Sequence, residues 1–177
     1  MAGVRPPLAA ILLAMSLIAA AALSTASAVN GQDAALSDVV KGLALRSEPV
    51  TIRLPARPGL AAASAAAQSG DGALALAVHD LTGTSTEPVR INVFVDMPDA
   101  NRTTSPDDPH FVGELSIYPK DGRIGTGGSD LELTQGVTAD AGKPLQVTFV
   151  PVVGSAAAPR DLSLQVGQIY VRHDRGS

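Results

Sequence analysis

Apolar residues between Leu43 and Val171 recur at every second position in short runs, and Gly, Pro or Asp ends almost every run. Val89–Val95 (VRINVFV) is the strongest case. Val89, Ile91, Val93 and Val95 fall on one face, with Arg90, Asn92 and Phe94 on the other. That period of two belongs to a strand covered on one side, because successive strand side chains point to opposite faces. Val50, Ile52 and Leu54 repeat the pattern within a strand region spanning Leu43–Leu54, and Leu74, Leu76 and Val78 repeat it again. Phe111–Tyr118, Leu131–Val137, Leu145–Val153 and Leu162–Val171 complete the set. Short strands broken by turn residues at this spacing predict an all-β, antiparallel β-sandwich or jelly-roll-like fold. The strands do not alternate with long helices, which argues against a parallel α/β sheet. The expected core centres on Ile91, Val93, Phe111, Leu115, Val147, Phe149 and Ile169.

Two small-residue stretches interrupt the pattern. The Ala run in residues 59–72 (GLAAASAAAQSGDG) could form a helical turn or two, but flanked by Gly and Pro it reads rather as a surface loop or mobile insertion, since such short side chains bury little area. Gly125-Thr126-Gly127-Gly128-Ser129 lacks the Lys of a phosphate-binding loop and reads as a mobile hairpin connection.

The N-terminus reads as a cleavable signal peptide over residues 1–28. Arg5 precedes an uncharged run, Leu8–Leu23, and Ala26-Ser27-Ala28 supplies the small residues a signal peptidase requires. The expected mature chain begins at Val29, with a polar, Ala-rich linker over 29–42 and the sandwich over 43–174. Export to the periplasm or the extracellular space follows, from a leader of bacterial character. The apolar run is shorter than the roughly 20 residues that span a bilayer, so an uncleaved anchor is the lesser alternative.

Composition narrows the chemistry. The chain has no Cys, which removes disulfides, thiolate metal sites and lipid-modified Cys anchors. A formal charge of -4 argues against a nucleic-acid partner, which needs a basic face. Aromatics are 3% of the chain with no Trp, too few for recognition by stacked rings. His79, His110 and His173 lie far apart in sequence and read as solvated strand-end residues rather than a shared metal site. Asp96, Asp99, Asn101, Asp107 and Asp108 fall in or beside one loop. Their oxygens suit calcium, but the order of a calcium hand is missing, and closing turns is the favoured role. Asn101-Arg102-Thr103 is a formal glycosylation sequon. A G-x-S-x-G nucleophile elbow is absent. The chain is therefore expected to be non-catalytic and to carry no cofactor.

Arg90-Ile91-Asn92-Val93-Phe94-Val95-Asp96 resembles the lysine-phenylalanine-aspartate-valine signature of the C-terminal domain of plant-type polyphenol oxidases, or tyrosinases. The acidic loop, then Phe111-Val112-Gly113 and Pro119, follow in that domain's order. Val147-Thr148-Phe149-Val150-Pro151 is similar to a late strand of the family, and Val166-Gly167-Gln168-Ile169-Tyr170-Val171 to its closing strand with a central Gly. Arg90, Ile91 and Asn92 replace the Lys, Phe and Asp of the signature. The resemblance implies a sandwich that packs over the active-site entrance of a type 3 copper oxidase and keeps it latent. The oxidase itself needs three imidazoles per copper, and the chain's His number 3. A stand-alone accessory domain with a tyrosinase-like partner is the implied function. A free-standing structural or adhesion sandwich is the alternative. Arg90, Asn92 and Phe94 are either a docking surface or an ordinary solvent face. Tyr118, beside Pro119, is either a phenol-like plug for the partner's site or a ring packed on the sheet edge.

Overall fold

The computed structural model describes residues 35–133, 143–154 and 156–174. Among them the strands are β1 (Val40–Leu45), β2 (Val50–Leu54), β3 (Ala73–Thr84), β4 (Val89–Val95), β5 (Phe111–Ile117), β6 (Arg123–Glu132), β7 (Leu145–Val152) and β8 (Ser163–Asp174). One helix, α1 (Leu60–Gln68), lies between β2 and β3. The strands form two four-stranded antiparallel sheets, ordered β1-β8-β3-β6 and β2-β7-β4-β5. That order is the jelly-roll arrangement, in which each strand's sequence neighbour often lies in the opposite sheet. The fold class expected from the alternation is therefore the one observed. The signal peptide, Val29 and the last residues of the expected 131–137 strand lie outside the described residues.

The core is the space between the sheets. Leu74, Leu76, Val78, Leu164, Val166 and Ile169 enter it from one side. Val89, Ile91, Val93, Leu115, Val147 and Phe149 enter from the other. Phe111 differs from the expectation: it packs in a second cluster, outside the main core, with Phe94, Val150 and Val152.

Four other expectations are corrected. The Leu43–Leu54 region is two strands, not one. β1 and β2 sit in opposite sheets, and the chain crosses between them at Arg46-Ser47-Glu48-Pro49. The linker assigned to 29–42 is sandwich from Ala35 onward. Leu36 N donates to Val171 O at 2.7 Å, and the fully buried Ser37 Oγ accepts from Val171 N at 2.9 Å. Residues 59–72 contain a nine-residue helix rather than a loop. Alanine has the most favourable helix propensity, and Leu60, Ala63, Ser64 and Ala67 share one helical face. Leu60 and Ser64 are buried, and Ala63 and Ala67 pack against the core.

β3 and β8 bend together. Asp80 adopts φ 57°, and inward-facing positions shift phase on both strands there, from Val78 to Leu81 and from Ile169 to Val166. A Cβ at Gly167 would lie 2.5 Å from Asp80 Cβ, so the central glycine of the last strand permits this close approach. Gln168 Nε2 closes the bend by donating to Asp80 Oδ2 at 3.1 Å.

The Gly-rich stretch 125–129 is also corrected, from hairpin connection to strand. It is the middle of β6, the last strand of its sheet. The true connection is the turn before it, where Lys120 and Arg123 exchange backbone hydrogen bonds of 2.9 and 3.0 Å across Asp121 and Gly122.

Candidate partner-binding site

Arg90, Asn92 and Phe94 share the outer face of β4, as the alternation requires, but they do not form one open surface. The loop 96–110 folds back over that face. Phe94 is fully buried beneath it, against Ala100, Val150 and Val152, with its ring 5.5 Å from that of Phe111 at 62°. Asn92 is 7% exposed, and its Oδ1 has no hydrogen-bond partner among the described residues. Arg90 remains at the surface, where Nη2 donates to Gly154 O and Nη1 lies 3.5 Å from Glu114 Oε2. Phe94 is therefore removed from the expected contact residues. An aromatic on an outer strand face is expensive to leave wet, and a long following loop supplies its cover.

The loop is fastened by its own polar groups. Asp96 Oδ1 accepts from Gln146 N at 3.1 Å, Asp108 Oδ1 from His110 N at 2.9 Å, and Asn101 Oδ1 from Thr103 N at 3.0 Å. Arg102 reaches across to donate to Ser47 O and pairs with Glu48 at 3.2 Å. Of the groups considered for calcium, Asn101 and Asp108 thus close turns, and Asp96 ties the start of the loop to β7. Among the described residues no group of three or more His, Cys, Asp or Glu is placed to hold a metal ion. The histidines are at separate places. His79 Nε2 meets Asp130 Oδ1 at 3.1 Å, His110 Nδ1 meets Val95 O at 2.8 Å, and His173 Nε2 meets Asp71 O at 3.2 Å. Among the described residues no helix is long and apolar enough to cross a membrane.

Tyr118 is the exposed large apolar side chain among the described residues, at 77%. Its ring is not packed on the sheet edge. β5 ends at Ile117, and half-buried Pro119 leads into the tight turn before β6, which leaves Tyr118 projecting where the chain passes from one sheet to the other. Beside it is a cleft of about 320 Å³ between the edges of β5 and β6, lined by Leu81, Leu115, Ile117, Ile124, Gly127 and Tyr118 itself. Sequence reasoning paired Tyr118 with Pro119 but did not find the cleft. The available signal was the string of small residues at 125–129, which as a strand leaves inward positions without side chains.

Neither a family model nor a curated protein matches the sequence. In fold, the sandwich is similar to part of a latent polyphenol oxidase. Recombinant latent aurone synthase aligns with a TM-score of 0.52 at 19% identity, over 75% of this chain and 26% of that one. The same enzyme from its natural source gives the same values. This chain thus spans about a quarter of the length of those structures. At this identity the likeness concerns fold, and it is consistent with a domain like the C-terminal one that the Arg90–Asp96 motif resembles.

Proposed function

We propose that this chain is an exported, non-catalytic accessory sandwich that binds and covers the active-site entrance of a type 3 copper oxidase of the tyrosinase kind. The observation that supports it most is the fold likeness to about a quarter of a polyphenol oxidase described as latent. The order of the motifs from Arg90 to Val171 supports it independently. Tyr118 is the residue assigned to the contact, with Pro119 holding its approach. A phenol ring standing clear of the sandwich has the shape and polarity of the substrates a phenol oxidase admits, and aromatic anchors carry much of the energy of protein interfaces.

The test adds the purified chain to a tyrosinase catalytic domain that lacks its own C-terminal portion and follows phenol oxidation. Saturable inhibition is expected, weakened about tenfold by Tyr118→Ala. Full oxidase activity at every concentration of added chain would remove the covering role and leave the free-standing sandwich. Inhibition that Tyr118→Ala leaves unchanged would move the contact elsewhere.

A further inference from the structure

β6 reaches the core with Ile124 and Leu131, but the positions between them carry only small residues. Its inward positions include Gly127, paired with the core residue Leu81, and Ser129, paired with Val78. A Cβ added at Gly127 would meet nothing within 4 Å. The volume that a Val or Leu would occupy there belongs instead to the 320 Å³ cleft, which has an apolar side of Leu81, Leu115, Ile117 and Ile124 and a polar side that includes Glu114 and Ser116. β6 is also the last strand of its sheet, so among the described residues its outer edge presents backbone N–H and C=O groups that no neighbouring strand pairs. An extended peptide answers both features, with its backbone along the edge and one bulky side chain in the gap.

Charge specifies the peptide further. Lys120 and Arg123 stand at the start of β6, Asp130 and Glu132 at its end, and Ile124–Ser129 between them is uncharged. Asp130 also meets His79 and Arg172, each at 3.1 Å, and stays partly open to solvent. A strand added antiparallel to β6 starts beside Asp130 and Glu132 and finishes beside Arg123 and Lys120. We infer that this edge and cleft dock an extended segment of a partner protein, basic at its N-terminal side, acidic at its C-terminal side, with one large apolar residue between. The peptide's apolar side chain enters the cleft beside Gly127. This rests on the reading that the chain binds a partner protein, and it adds a contact separate from the tip of Tyr118.

The probe is a capped heptapeptide with lysine first, phenylalanine fourth, glutamate last and threonine elsewhere. Amide NMR shifts of Ile124–Ser129 should saturate below about 1 mM peptide. Gly127→Val starts its side chain in the cleft, where a Cβ meets nothing within 4 Å, and should weaken binding about tenfold with the remaining spectrum unchanged. A peptide with alanine fourth, or with its end charges exchanged, should bind more weakly. Absence of saturation, or equal binding by Gly127→Val, overturns the inference. Peptide binding by a chain that leaves the oxidase active upholds the cleft and removes the covering role. Inhibition of the oxidase that neither Gly127→Val nor excess peptide relieves upholds the covering role and overturns the cleft.

Discussion

Val93 lies at the middle of β4, fully buried, with β5 on one side and β7 on the other. A carboxylate there would be buried among apolar side chains, so Val93→Asp should destabilise the chain by about 3 kcal/mol or more, read as a lower urea midpoint. Gly167 tests a different constraint. Its missing Cβ is the space that Asp80 occupies, and Gly167→Ala places two carbons at 2.5 Å unless β3 and β8 part. The expected cost is about 1–3 kcal/mol, visible as a lowered unfolding midpoint, and an unchanged midpoint would show that the paired bend is not held by this contact. Phe94 is decided by neighbours distant in sequence. Its place in the alternation puts it outward, and only the packing of Met97, Ala100 and Val150 over it makes that outward position dry.

At the scale of elements, α1 and the loop 96–110 are the additions to the strand framework. α1 is short, and helices of its length are marginal in water, so its order depends on docking. Leu60 is its one large anchor, 2% exposed. Leu60→Ala should cost about 2–5 kcal/mol and raise amide exchange throughout Leu60–Gln68 before the strands exchange. Uniform exchange in helix and sheets would show that the helix is no separate unit. The loop 96–110 is latched by Arg102 to the β1–β2 crossing at Ser47 and Glu48. Arg102→Ala should loosen that latch, seen as faster exchange in Met97–Thr104 with β4 and β7 still protected. The alternation from Ala73 to Val95 announced its strands plainly. The Ala-rich helix was harder to read because its anchoring face contains one Leu among small residues.

For the whole molecule, the two sheets share one core, so unfolding should be a single cooperative transition seen alike by circular dichroism and tyrosine fluorescence. Separate transitions would mean that the sheets melt independently. Export at the scale of the full chain carries its own expectation. The N-terminus of the secreted protein should be Val29, and N-terminal sequencing that returns Met1 from a membrane fraction would replace the signal peptide with an anchor.

The period of two along β3, β4, β7 and β8 determines that the chain is a sandwich, because each such strand must bury one face and only a second layer can cover it. The motif order from Arg90 to Val171 pointed to the same architecture that the likeness to latent aurone synthase shows. The tertiary structure alone decided what lies on the outer faces and edges. Whether Phe94 is wet depends on a loop that follows it, and whether 125–129 is a turn or a strand depends on β3 being there to pair with it. Tyr118 stands clear because two sheet edges meet beside it. These are contacts between segments far apart in the chain, and no local pattern of residues encodes them.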